Sequence, residues 1–422
     1  MSARSVYLIY SAASAMFFAT ITTLNLVYQA TVVNLNPLEL VLVGTLLEAT
    51  IFFFEVPTGV VADIFSRRWS VIAGASLMGL GFILEGSIPL FATVMASQVI
   101  WGIGYTFTSG AADAWIADEV GEETAGRFFV RGSQAGLAAG IAGAILSVAL
   151  GSIRVNIPIV VGGCLYLGLA LFLAACMPEH GFTPSVQQIS REAGPAPASA
   201  WGDMAQTFKA GLRLVRGKRG LIAVLLVGLF FGLYSEGFDR LWTPHLIRDI
   251  GLPAAGGFKP VIWFGLISIG TQLLSLGAVE LARRRLDPDK PRLALRALFA
   301  ASSLLVAGLV VFALSPGFPV ALAALGIISV ARAVIGPYYT TWVNRHLTSD
   351  VRATVLSMSS QVDAGGQIAG GPILGAIGAS VSIQAALLGS ALLLSPVLAL
   401  FTREIQKERQ VHRETKIKNR EP

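Results

Sequence analysis

From residue 5 to residue 402 the chain is a succession of apolar runs separated by short polar breaks. A helix needs about 20 apolar residues to cross the hydrocarbon core of a bilayer. Twelve runs meet that length, near 5–30, 38–61, 70–90, 92–114, 131–153, 156–176, 220–245, 261–282, 293–315, 318–342, 353–378 and 380–402. In lipid only helices and closed barrels satisfy every backbone amide, and runs this long predict an all-α integral membrane protein. Charged residues are only 13% of the chain, against about a quarter in a soluble domain, so an ordinary water-facing fold is excluded.

The basic residues fix the orientation. With the N-terminus inside, the inner segments hold Arg4, Arg67, Arg68, Arg127, Arg131, Arg191, the sets Lys209 to Arg219 and Arg283 to Arg296, Arg345, Arg352 and a tail that is basic from Arg403. The outer loops hold Arg154, Arg248 and Lys259. This positive-inside asymmetry puts both termini in the cytoplasm and requires an even number of spans. The net charge of +6 is spread over those loops rather than gathered in one patch, which argues against a nucleic-acid partner. The run Val6 to Val33 reads as a span, being too long for a cleavable signal. Cys164 and Cys176 share one span, roughly 18 Å apart along a helix, too far for a disulfide.

The longest polar stretch, His180 to Arg219, contains Pro184, Pro195, Pro197 and an amphipathic piece around Met204 to Val215. The expected division is a six-helix bundle over 1–178, a cytoplasmic linker over 179–219, a second six-helix bundle over 220–402 and a charged tail over 403–422 that frays or lies on the membrane as a helix. The halves repeat each other. Trp115 to Asp118, Arg127, Ser133-Gln134 and Ile141 to Gly143 are matched by Trp342 to Arg345, Arg352, Ser360-Gln361 and Ile368 to Gly370. A parallel repeat of this kind, two bundles about a pseudo-twofold axis, places a solute path between the halves near mid-membrane.

Ionisable residues inside spans are costly and mark candidate sites. Glu48 and Glu55 lie seven apart on span 2, hence on one face about 10 Å apart. Glu48, near mid-depth, is a proton or cationic-solute site or else a structural hydrogen bond; Glu55 is closer to the inner loop. Arg332 on span 10 and Asp363 on span 11 lie at a common depth and could pair. On span 7, Glu236 and Arg240 suit an i,i+4 pair, and together with Asp239 they form an outer gate or a binding cluster. Glu85 is read as snorkelling or packed. Tyr28, Gln98, Trp101, Tyr105, Gln134, Tyr234, Phe238, Tyr338, Tyr339 and Gln361 are candidates to line the path, each with a packing role as its alternative. No cofactor, metal cluster or phosphate-binding loop is expected, which sets aside catalysis and ATP drive.

The loop after span 2 is the most specific motif: Glu55-Val-Pro57-Thr-Gly59-Val-Val-Ala62-Asp63-Ile-Phe-Ser-Arg67-Arg68. Gly59 and Ala62 allow close helix packing. Asp63, at a helix C-terminus where a negative charge is unfavourable, needs a cationic partner, and with Arg67 and Arg68 it suggests a charged conformational latch. Asp113 and Asp118, at the inner end of span 4, are the expected anionic partners.

These residues resemble the loop signature G-x-x-x-D-x-x-x-R-[KR] of the major facilitator superfamily, and the likeness covers the whole chain. In the second half the signature is reduced to Gly277, Glu280, Arg283 and Arg284. Glu48, Glu55, Pro57, Asp63, Arg67 and Arg68 are also similar to span 2 of an atypical tetracycline-efflux branch, TetA(P). Two positions depart: Gln98 stands where span 4 often carries Arg, and span 5 runs Gly132, Gly136, Gly140, Ile141, Gly143 without the antiporter Gly-Pro, which occurs instead as Gly371-Pro372. The resemblance implies a monomeric secondary transporter of a bacterial plasma (inner) membrane. It would export small amphiphilic or drug-like solutes against protons by antiport, a route to antibiotic resistance. Uptake symport of a nutrient is the alternative, and a non-transporting membrane sensor is a third.

Overall fold

The computed structural model describes residues 1–184, 219–253, 259–285, 291–345 and 349–418, and the amphipathic piece at 204–215 lies outside them. Every regular element among the described residues is helical: α1 (Ala3–Thr31), α2 (Pro37–Ile64), α3 (Arg67–Ser87), α4 (Phe91–Thr108), α5 (Ala111–Val120), α6 (Glu122–Gly151), α7 (Ile157–Cys176), α8 (Arg219–Pro244), a π-helical turn (His245–Ile250), α9 (Pro260–Arg285), α10 (Pro291–Ala313), α11 (Phe318–Arg345), α12 (Ser349–Ser380), α13 (Ile383–Leu394) and α14 (Pro396–Lys418). They form twelve rods, because α4 with α5, and α13 with α14, are each one rod broken once. Ten of the rods contain a helix long and apolar enough to cross a bilayer. The others are α4–α5, which is interrupted, and α12, whose middle carries Gln361, Asp363 and Gln367.

Local chemistry sets the ends. Asn36 and Glu39 cap α2 reciprocally, at 2.8 and 3.0 Å, with Pro37 supplying the fixed φ of a first helical residue. The Ser66 hydroxyl accepts from the Trp69 amide at 3.0 Å to start α3. Span 4 is not continuous over 92–114 as expected. It breaks at Gly110, whose φ of +71° is in the left-handed region, where a side chain is strained; α5 therefore begins a separate helix. Span 12 breaks at Ser395, where Pro396 opens a new helix that runs to Lys418. Span 7 ends differently from the expectation too: Pro244 removes an amide from the ladder, and the chain continues as a π turn up to Gly251, φ +79°.

The helices group into two compact units, one holding α1–α7 and the other most of α8–α14. The repeat seen in the sequence has a packing cause. A Cβ at Gly143 would collide with the Met16 carbonyl on α1, and a Cβ at the matching Gly370 would collide with the Leu233 carbonyl on α8. In each half, therefore, a glycine lets the fifth span press against the first by backbone contact. Trp115 and Trp342, also matched, are buried at 2% and 3% exposure. Cys164 and Cys176 are free.

Candidate functional site

The charged residues gather in three places. The first is the loop between α2 and α3 of the first unit. Arg67 bonds to Asp63 at 3.3 Å, forms a close ion pair with Asp118 and donates to the Ala114 carbonyl at 3.0 Å. One guanidinium thus ties the end of α2 to α5. Burial pushes the Asp118 carboxyl above its usual range, and Arg67 pulls it back only in part. Arg68 turns away from this cluster. Its side chain donates to the Ala174 carbonyl at 2.6 Å, while its amide and the Ser66 hydroxyl are held by Glu179, at 2.9 and 2.7 Å. Glu179 was not a candidate, because its partners lie more than a hundred residues away and no spacing betrays them. Two expectations are corrected. Asp113 accepts from the Tyr7 phenol at 2.7 Å, not from an arginine, since it sits in the first turn of α5, where the helix dipole already favours an anion. Gly59 does not mediate close packing: a Cβ there would meet nothing within 4 Å. Ala62, by contrast, is buried.

The second place is the face of α2 above that loop. Glu48 is half-buried and Glu55 exposed, on a helix that packs against α4, which carries Tyr105. The seven-residue spacing thus does put two carboxyls on one face.

The third place is at membrane depth in the second unit. Arg332 does not pair with Asp363. Its Nη1 and Nη2 reach Asp239 at 2.6 and 3.3 Å, and its Nε donates to the Tyr234 hydroxyl at 2.8 Å. Its guanidinium also lies 5.2 Å from the Tyr234 ring and 5.0 Å from the Phe238 ring. The reason is registry: Tyr234, and Phe238 and Asp239 one turn further along α8, all reach the Arg332 guanidinium of α11. Asp363 instead accepts from Gln367 at 2.9 Å, one turn along α12. Glu236 and Arg240 pair at 2.8 Å as their spacing predicts, with Glu236 only 3% exposed. Tyr339 donates to the Val224 carbonyl at 3.0 Å and lies 3.0 Å from the Ser359 hydroxyl, so α8, α11 and α12 converge here.

Several path candidates are packing residues. Trp101 stacks on Phe82 with centroids 5.1 Å apart and donates to Gln98 at 3.0 Å. Tyr28 donates to the Glu85 carbonyl at 2.8 Å, and Tyr338 to the Ala282 carbonyl at 3.1 Å. All four, Tyr28, Gln98, Trp101 and Tyr338, are buried within their own unit, because an aromatic with a polar tip is held where that tip finds a backbone or amide partner. Gln134 and Tyr105 are exposed, and Gln361 is half-buried. Glu85, expected to snorkel or pack, is packed: it is fully buried, and its carboxylate accepts from Gln29, Ser97 and Gln98. Separately, an apolar cavity of about 520 Å³ lies among α9, α10 and α11, lined by Ala278, Ala282, Ala297, Ala301 and Val330, with Arg285 at one end.

The comparisons with known proteins agree with this architecture. The sequence profile of the Major Facilitator Superfamily matches residues 6–371. An uncharacterised MFS-type transporter of Bacillus subtilis (strain 168), YxaM, is 24% identical over 374 residues, spanning 86% of this chain and 87% of its own. Among solved structures, the nucleoside transporter NupG superposes with a TM-score of 0.72 at 16% identity, over 95% of this chain and 99% of its own. A peptide transporter, POT, superposes with a TM-score of 0.71 at 13% identity, over 97% and 95%.

Proposed function

Because this chain belongs to the major facilitator superfamily, we propose that this membrane transporter exports small amphiphilic solutes in exchange for protons by alternating access. The observation that carries the reading is the pair Glu48 and Glu55, two turns apart on one face of α2, one half-buried and one exposed. Carboxyls within a span are expensive to keep. Two on one face, one half-buried and one exposed, supply a group to carry a proton and a group to attract a cation. The Asp63–Arg67–Asp118 cluster is the latch: it joins α2 to α5 through one guanidinium's ion pairs and its bond to the Ala114 carbonyl, so it can break and reform as helices move. Arg332 and Asp239, with Asp363 nearby in the chain's second unit, would bind polar parts of the solute. The topology that goes with this reading has bundles over 1–178 and 220–402, a cytoplasmic linker over 179–219 and a cytoplasmic tail over 403–422, in a bacterial plasma membrane.

Proteoliposomes with an imposed pH gradient test the reading, using a fluorescent amphiphilic amine as probe. Gradient-driven accumulation that Glu48→Gln abolishes is the expected result; accumulation equal to that of empty liposomes, or unaffected by Glu48→Gln, sinks it. The second reading, uptake of a polar nutrient, is supported by the Arg332–Asp239–Tyr234 cluster, whose fixed donors suit a polar solute, and by the fold shared with NupG, described as a nucleoside transporter. A radiolabelled nucleoside added to the same proteoliposomes separates the two.

A further inference from the structure

We propose that Glu85, on α3, is a proton-binding site in the first unit, built so that the same side chains serve its charged and its neutral form. The charged form is satisfied first. Gln29 Nε2 donates to Oε1 at 2.7 Å, Ser97 Oγ donates to Oε2 at 2.8 Å, and Gln98 Nε2 donates to Oε2 at 3.2 Å. Three neutral donors from α1 and α4 thus spread over both oxygens of a carboxylate with no exposure. This is how a buried anion is tolerated.

The neutral form is provided for by Ser97. Its hydroxyl lies 3.0 Å from the Val94 carbonyl as well as 2.8 Å from Glu85. When Oε2 takes a proton from water, a new O–H bond forms on Glu85. The Ser97 hydroxyl then rotates to donate to Val94, and its freed lone pair accepts from Glu85. No heavy atom has to move, because a hydroxyl is both donor and acceptor and turns about one bond. Gln98 has its own second acceptors, the Val94 carbonyl at 3.4 Å and Ser97 Oγ at 3.2 Å. A carboxylate placed only to hold helices together would need no such alternative.

The surroundings also carry an unspent acceptor. Gln29 Oε1 is buried and has no hydrogen-bond partner, so the amide beside Glu85 can still receive a donor. The ionisable group facing Glu85 from α1 is the Tyr28 phenol, which donates to the Glu85 backbone carbonyl. From α4 come Ser97 and Gln98, with Trp101 behind Gln98, and Asn156, at the start of α7, donates to the Gly86 carbonyl at 2.9 Å. The network therefore fastens α1, α3 and α4 to one titratable group, and its protonation reorients the bonds made from α4 while the Gln29 bond from α1 to Oε1 persists.

The place of this site in transport rests on the proton-coupled reading above; proton binding itself does not. The test is infrared difference spectroscopy on the purified full chain in lipid nanodiscs, between pH 5 and pH 9 and without solute. A pH-dependent carbonyl band of a buried protonated carboxyl is expected in the native protein and lost in Glu85→Gln, which is near-isosteric. A Ser97→Ala variant, which keeps Glu85, is expected to retain the band with its midpoint moved by about tenfold in proton concentration, one unit of pH. Thermal melting of each variant shows that it is folded. A native protein with no such band overturns the proposal, as does a band unchanged in both variants. Should the band behave as expected while the liposomes show no gradient-driven accumulation, the export reading fails and the proton site stands.

Discussion

Two arginine–aspartate clusters invite comparison, Asp63–Arg67–Asp118 in the first unit and Asp239–Arg332–Tyr234 in the second. Both have a guanidinium bridging helices, and the side-chain exposures are similar: 19% for Arg67 with 52% and 26% for its partners, and 31% for Arg332 with 44% for Asp239. Their settings differ. The Arg67 cluster lies at the ends of its helices, where water and salt screen it and each pair contributes about 0.2–1 kcal/mol. The Arg332 cluster lies inside a span, where the guanidinium also rests on two aromatic faces. The same ion pair is therefore a reversible catch in one place and a fixed anchor in the other.

The largest effect is expected from Arg332→Gln, which strands Asp239 within the membrane. Melting of the detergent-solubilised protein is expected to show a loss of about 1–3 kcal/mol, with transport reduced tenfold or more. Adding Asp239→Asn is expected to restore much of the stability without restoring transport; simple additivity of the two variants would show that the pair is not coupled. Next is Arg240→Gln. It leaves the buried Glu236 without the ion pair it makes at 2.8 Å, and a loss of about 1–2 kcal/mol is expected on the same assay. Smaller again is Arg67→Gln, expected to change melting by less than about 1 kcal/mol while altering the transport rate several-fold. A stability loss as large as that of Arg332→Gln would erase the distinction between catch and anchor.

The smallest effect concerns pH. Burial raises the Asp118 carboxyl, so the folded protein takes up this proton at a higher pH than the unfolded chain does. The Arg67–Asp118 pair is then intact above that raised value and lost as pH falls through it. By linkage the raised carboxyl favours the closed fold as pH falls through that value, so the protection factors of the amides from Ser66 to Trp69, taken relative to intrinsic exchange, are expected to rise on acidification in the native protein and to lose that dependence in Asp118→Asn.

Much of this was legible in the residues. The apolar runs gave the spans, because lipid leaves the backbone no other way to be satisfied. The repeat gave Gly143 and Gly370 as equivalents, and the i,i+4 spacing gave the Glu236–Arg240 pair. Arg332 could pair with Asp363 on depth alone, but it takes Asp239, because sequence gives depth along a helix and not which neighbour it faces. Glu85 reads in the sequence only as snorkelling or packed for a related cause: its partners come from α1 and α4, 56, 12 and 13 residues away, and no pattern along α3 announces them. Gln98 looked like the loss of an arginine, whereas in the fold it is a donor to a buried carboxylate.

By itself, then, the sequence determined the class of fold, the number of spans, the internal duplication and the presence of charge inside the membrane. Those follow from the periodicity and length of apolar segments, which are properties of the chain one residue after another. Only the tertiary structure decided which charges meet, that Arg332 takes Asp239, that Arg67 takes Asp118 and that three neutral donors surround Glu85. Partner choice depends on the rotation and register of helices distant in sequence, and close packing sets those through contacts such as Gly143 on Met16 and Gly370 on Leu233.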